Sequence, residues 1–377
     1  MKQDWVSGTI EELCEIEYGT RVVKKRDAGS KYPTYGGGGA TFFMDMYNRE
    51  NRMIIARFGM SEECTRFVKG KFFLNDSGLT ISPKDKDSVA EKFLNYQILS
   101  MNDEIYSLGR GTAQKNLNVD EFKRLKFSYP STLDEQKRIV AKLDECFEAI
   151  DKARANVEKN LNNAKELFQS QLNKIFSQKG DGWVEKKLGE VCIVERGSSP
   201  RPIKDYLTES EDGVNWIKIG DTKNVEKYIY ATKQKITKEG AKRSRFVDVG
   251  DFILTNSMTY GKPYIMKTKG YIHDGWFVLR LPDEINSEFF WYLLASPYTM
   301  EQFEYLAAGA IVKNISGDLV KKAILPIPPI GEQATIVEKM DTLSSQTQTL
   351  KSNYQQELDA LDELKKSILQ KAFNGEL

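Results

Sequence analysis

Apolar residues return every three or four positions through two long stretches, Glu135 to Ser177 and Glu332 to Asn374, and no Pro or Gly breaks either one before Gly180 and Gly375. That spacing, on a background of Ala, Leu, Glu, Lys and Gln, predicts two long amphipathic helices. In the first, Val140, Phe147, Leu161, Phe168 and Ile175 share one heptad position, and Leu143, Ile150, Val157 and Ala164 fall three residues later, with Arg154 breaking the seam. In the second, Met340, Leu343, Leu350, Tyr354, Leu361, Leu364 and Ile368 keep a similar spacing, broken by Thr347. Neither stripe is stable alone in water, so the expected arrangement packs the two against each other in an intramolecular coiled coil. A coiled coil between separate chains is the alternative.

The two stretches are copies of one element. A shift of 197 residues brings Gln136 onto Gln333, Ile139 onto Ile336, Val140 onto Val337, Lys142 onto Lys339 and Asp144 onto Asp341. Near the far end Glu166, Leu167, Ser170, Leu172, Lys174 and Phe176 fall onto Glu363, Leu364, Ser367, Leu369, Lys371 and Phe373. The repeat extends beyond the helices. Trp5-Val6, Ile10, Glu12, Leu13, Cys14 and Gly19 match Trp183-Val184, Leu188, Glu190, Val191, Cys192 and Gly197, and the apolar members are expected in a core. Gly111-Thr-Ala-Gln-Lys-Asn-Leu117 matches Gly309-Ala-Ile-Val-Lys-Asn-Ile315, and Pro130 matches Pro328.

Between these matched blocks the copies diverge. Runs such as Met53 to Arg57, Lys71 to Leu74, Trp216 to Ile219, Asp251 to Thr255 and Gly275 to Arg280 read as strands between Gly, Pro, Asn and Asp turns. Helical segments are expected around Glu91 to Leu99 and Ser287 to Ala295. The fold class is therefore α+β, with two similar mixed domains and an internal pseudo-two-fold repeat.

Charged residues make up 29% of the chain and hydrophobic ones 40%, as in a soluble protein with substantial cores. No signal peptide or membrane-length apolar run is evident, and the expected location is cytoplasmic. Cys14, Cys64, Cys146 and Cys192 are too scattered for a zinc site and read as reduced core residues. The net charge of +1 gives no overall support for nucleic-acid binding. Local clusters do: Arg21, Lys24, Lys25 and Arg26 in the first half, and Lys233, Lys235, Lys238, Lys242, Arg243 and Arg245 in the second. The repeated pairs Lys115-Asn116 and Lys313-Asn314 read as loops before a short helix, able either to hold a phosphate or base edge or to form a structural turn. The Gly36 to Gly39 run lacks the Gly-Lys-Ser/Thr that a nucleotide P-loop needs next, and reads either as flexible backbone that lets a loop approach DNA closely or as a plain tight turn.

In these residues the chain resembles the DNA-specificity subunit of type I restriction-modification enzymes. The resemblance rests on the Trp-Val openings, Tyr35-Gly36-Gly37, Trp216-Ile-Lys-Ile-Gly220, the duplicated Gly-x-x-x-Lys-Asn signature, the Pro then Glu-Gln lead into each helix, and the closing Ile368-Leu-Gln-Lys-Ala-Phe-Asn-Gly-Glu-Leu377. It implies two target-recognition domains, residues 1–133 and 180–330, each reading one half of a bipartite double-stranded DNA site. They would be held apart by antiparallel helices at 134–179 and 331–377, which set the spacer. It also implies no catalysis and no cofactor, two docked methyltransferase subunits, and restriction subunits in a larger complex, with no membrane partner. The candidate DNA contacts are Arg21, Lys24, Lys25, Arg26, Tyr35, Gly37, Arg57, Lys115 and Asn116 in the first half. In the second half they are Arg201, Lys218, Lys242, Arg243, Arg245, Tyr260, Lys262, Lys313 and Asn314.

Two other classes fit less well. A stand-alone adenine methyltransferase needs an Asn/Asp-Pro-Pro-aromatic motif, and Pro328-Pro329 lies between isoleucines. A nuclease built on Asp120 and Glu135-Gln-Lys137 would not be duplicated, because the second copy reads Glu332-Gln-Ala334. His273 stands alone and suits a structural role or a DNA contact better than a hydrolase. A bare coiled-coil scaffold leaves two divergent domains without a task.

Overall fold

The computed structural model describes residues 4–256, 261–307 and 315–377. They form two compact units. One contains the chain up to Glu158 together with Gln355–Leu377, and the other contains Lys159–Tyr354. The sequence reading divides the chain linearly, whereas each compact unit takes in part of both long helices.

The first unit opens on strand Trp5–Thr9, paired antiparallel with Lys126–Pro130. One turn of helix, Ile10–Leu13, follows. Its start is fixed by a reciprocal cap: the Thr9 N–H donates to Glu12, and the Glu12 N–H donates to the Thr9 hydroxyl. A six-stranded sheet then runs in the order Cys14–Tyr18, Gly78–Pro83, Arg49–Ala56, Thr65–Leu74, Tyr32–Tyr35 and Phe43–Met44. Helix Glu91–Ser100 supplies Phe93, Leu94 and Ile98 to the core below it. The second unit opens in the same way, with Val184–Lys187 paired to Ile324–Ile327 and then helix Leu188–Val191. It departs from the first in having two five-stranded sheets, one centred on Phe252–Thr255 and the other on Val214–Ile217.

The long helices span Leu133–Gln178 and Ile330–Asn374. In the first unit, Val140, Leu143, Phe147 and Ile150 share a core with Leu369, Ala372 and Phe373. In the second, Leu172 and Phe176 share one with Ile336 and Met340. The start of one helix thus meets the end of the other in each unit, so the pairing is antiparallel and intramolecular. Arg154, the break in the first seam, forms an ion pair with Asp362, while Lys365 lies 3.7 Å from Asp151.

Several expected core positions lie elsewhere. Leu350 and Leu364 are exposed, whereas Leu358, outside the expected stripe, and Thr347, its polar break, are buried. Val6 and Val184 are also exposed: each sits on a two-stranded ribbon whose outer face meets no second layer.

The duplicated Glu-Gln lead has a structural explanation. Gln136 is wholly buried. Its amide donates to the carbonyls of Ser88 and Pro130 and accepts from the Ala90 N–H, all at 2.8–2.9 Å. Gln333 repeats the joint with Pro328 and the Asn286 N–H. Eight residues along each helix a second anchor recurs, where the Tyr96 hydroxyl donates to Asp144 and that of Tyr292 to Asp341, both at 2.6 Å. Burial, then the adjacent carboxylate, pushes both phenols well above their ordinary range. We expect Gln136→Ala to cost about 2–3 kcal/mol, because it strands three backbone groups. Urea unfolding measures this, and a loss below about 0.5 kcal/mol would show that the joint does not hold the helix.

Candidate nucleic-acid interface

Cations in the first unit fall into two groups. Arg26, Arg49, Arg52 and Arg110 each face a carboxylate, namely Asp27, Glu17, Glu91 and Glu121. Arg21, Lys24 and Lys25 are exposed, and the two lysines begin a short helix, Lys24–Asp27, where long side chains can reach a phosphate. Arg57 lies at the end of strand Arg49–Ala56 against two aromatic rings, and the Lys115 ammonium sits 3.9 Å from the centre of the Tyr106 ring. Arg57 and Lys115 are half-exposed, and Arg21, Lys24 and Lys25 more so.

Other expected contacts are engaged within the unit. Asn116 is in a short strand, Asn116–Leu117, paired to Gly109–Arg110, and its amide oxygen accepts from the Gly59 N–H at 3.2 Å. The structural-turn reading is therefore the one its side chain satisfies, and the cap of the following helix is Asn118. Gly37 is buried, and a Cβ there would lie 2.1 Å from the Phe58 carbonyl oxygen, so close packing alone explains it. Tyr35 is half-buried and packs edge-on against Phe72.

In the second unit Lys242 and Arg243 are exposed. Lys242 meets Glu239 at 3.0 Å, a surface pair that breaks easily, and Arg243 rests on the Tyr206 ring. Arg245 belongs instead to an internal network: it pairs with Glu195, which also binds Arg280, and Arg280 reaches Asp251. Burial lifts the Asp251 carboxyl above its usual value despite that partner. Arg201 is highly exposed and pairs with Asp274 at 3.3 Å. The Ser199 hydroxyl also binds Asp274 and holds its carboxyl below the usual range. Lys218 is exposed and donates to Gln234, while Lys262 is half-buried and reaches the Val225 carbonyl. Tyr260, Lys313 and Asn314 lie outside the described residues. His273 is half-buried between Trp216 and Trp276, accepts from the Gly275 N–H, and has its pKa lowered by burial.

Among the described residues no group of His, Cys, Asp and Glu is placed to hold a metal ion. Glu135, suggested above for a nuclease, is bound to Arg138 at 2.8 Å. Burial pushes the Cys14 and Cys192 thiols up to about 12 and Cys64 to about 11, which leaves them protonated and unreactive near neutral pH. No helix among the described residues is long and apolar enough to cross a membrane.

The family described as type I restriction modification DNA specificity domain matches this chain twice, over residues 2–160 and 180–360. The chain belongs to that family. Each match takes in one opening ribbon and one strand-rich domain, so the family's repeat is the repeat seen in the fold. Among relatives, the type I restriction enzyme EcoKI specificity subunit of Escherichia coli K12 is 27% identical over 52% of this chain and 44% of its own length. The chain therefore spans less than half of that relative. The putative type I restriction enzyme MjaX specificity subunit of Methanocaldococcus jannaschii is 23% identical over 82% of this chain and 73% of its own. A solved chain from work on complex assembly and conformational transition of a type I R-M system shares the fold. It has a TM-score of 0.73 at 19% identity, covering 100% of this chain and 99% of that one.

The two kinds of cation in this specificity-domain chain should separate on mutation. Lys242→Gln with Arg243→Gln should weaken binding to all DNA duplexes alike and lower the salt slope by about two, one for each phosphate that is no longer neutralised. Arg245→Gln should instead cost about 1 kcal/mol of stability, read by thermal melting, because Glu195 is left with one cation fewer. An unchanged salt slope in the double variant would mark Lys242 and Arg243 as merely solvated.

Proposed function

We propose that the chain is the sequence-reading subunit of a type I restriction-modification system, with each unit recognising one half of a bipartite double-stranded DNA site. The observation that carries this reading is the contrast within the repeat. Two of the three bonds of the Gln136 joint recur at Gln333, and the tyrosine bond of Asp144 recurs at Asp341, while a six-stranded sheet in one unit is replaced by two five-stranded sheets in the other. A shared scaffold with different faces suits a shared partner and different DNA sequences. The chain supplies recognition, and the chemistry belongs to its partners: methyltransferase subunits, joined by restriction subunits in the larger complex. The long helices, each roughly 70 Å at 1.5 Å per residue, set the unread spacer.

A second observation supports two copies of one partner. Several exposed positions of the helices have diverged, as in Asn162 against Asp359, Lys165 against Asp362 and Gln169 against Lys366, although Glu166 and Glu363 are kept. Leu167 and Leu364 are kept too, although they are 51% and 47% exposed. Among the described residues neither leucine belongs to the core of its unit. Leu167 lines a groove on the second unit with Thr335, Leu343 and Lys339, and Lys339 is also kept in the other copy, as Lys142. The exposed face is apolar at its centre with charges beside it, as a helical partner surface requires.

Two experiments test these readings. Replacing residues 20–83, which hold most of the first sheet and none of the joint, by the equivalent part of a relative should change one half-site in the methylated sequence and leave the other. A change in both would overturn independent reading. Leu167→Glu and Leu364→Glu should each remove one methyltransferase from the assembled complex in native mass spectrometry, and the pair together should remove both. Full loading of the double variant would place the partner elsewhere.

A further inference from the structure

We infer that Arg57 reads a guanine in the half-site bound by the first unit, an inference that rests on the DNA-reading function proposed above. The backbone that carries it is fixed on three sides. The N–H groups of Arg57 and Phe58 both donate to the Ser77 carbonyl, at 2.8 and 3.1 Å. The Arg57 carbonyl accepts from the Leu117 N–H at 2.8 Å, and the Met60 N–H donates to the Lys115 carbonyl at 2.9 Å. Gly59, with φ +62°, makes the turn between these contacts, and Gly37 closes against the Phe58 carbonyl. Beside this ledge the glycine run opens outward: a Cβ on Gly38 would meet nothing within 4 Å.

The side chain is stacked and yet uncommitted. The guanidinium carbon lies 5.0 Å from the centre of the Tyr18 ring and 4.5 Å from that of Phe58, both rings being substantially exposed. Among the described residues no hydrogen bond or ion pair engages this guanidinium. Arg26, Arg49, Arg52 and Arg110 of the same unit all have carboxylate partners, and Arg66 donates to the Glu63 carbonyl. Contact with a ring face leaves the N–H groups at the edge of the guanidinium plane free. Their fork matches the O6 and N7 acceptors of guanine in the major groove. A phosphate needs only charge, which the unstacked Arg21, Lys24 and Lys25 supply. Holding a guanidinium against two rings restricts its plane, and that restriction matters for a base edge.

Sequencing of methylated DNA from cells carrying the intact system, with wild-type, Arg57→Lys or Arg57→Gln chains, tests the assignment. Lysine keeps the charge and loses the fork. Both variants should lower the preference for guanine at one position of one half-site by about tenfold to a hundredfold, with the remaining positions and the melting temperature unchanged. Retention of the full site by Arg57→Lys, or a uniform fall in methylation at every site, would overturn the inference in favour of a phosphate contact. A wild-type half-site pair without a required guanine would also overturn it. Absence of any sequence preference in the wild type would instead bring down the DNA-reading function itself, and Arg57's role with it.

Discussion

The buried amide of a glutamine at the start of each long helix fixes how that helix leaves its domain. Gln136 joins the end of strand Lys126–Pro130, the turn at Ser88 and the first turn of helix Glu91–Ser100 at one point, and Gln333 makes a like joint in the second unit. A single anchor would leave the helix free to swing. The Tyr–Asp bond about 12 Å further along provides a second, and two fixed points define a direction. The strand-rich parts can then vary while the direction of the scaffold is kept. Low-dielectric surroundings make such buried amides costly to break and therefore specific.

Much of this fold was legible in the sequence because it is written twice. The offset between Gln136 and Gln333 located both helices, and the Trp-Val openings located both ribbons. What the pattern could not show was which face each helix turns to its own domain. The heptad reading placed Leu350 and Leu364 in the seam, but the core of the first unit draws Leu369, Ala372 and Phe373 inward instead. The role of the paired glutamines was also hidden, since a buried polar joint has no periodic signature. The repeat was the signal that could have found it, as it could have found the exposed Leu167 and Leu364.

The candidate interface was less legible than the fold, for an electrostatic reason. A cluster of basic letters does not say which cations are already neutralised. Arg245 looks equivalent to Lys242 and Arg243 in sequence, yet it is tied to Glu195 within a network that also holds Arg280 and Asp251. Arg57, isolated between Ala56 and Phe58, carries no cluster signal at all. Its setting depends on Tyr18, which is distant in sequence and on another strand. With a net charge near zero, the surface potential is shaped by which pairs form rather than by how many cations exist.

The closing of the first unit by Leu369, Ala372 and Phe373 has a consequence for the order of events during synthesis. Its core begins at Ile10 and is sealed by residues made hundreds of codons later, with Arg138 bonded to the Leu377 carbonyl. The second unit is one continuous stretch, Lys159–Tyr354. It can complete itself while the first still waits for its last helical turns, so the half of the protein that is translated first is the half that matures last. During that interval Phe93 and its neighbours lack the cover that Phe373 provides. A nascent chain in this window presents an apolar surface that a chaperone, or a neighbouring copy, could occupy.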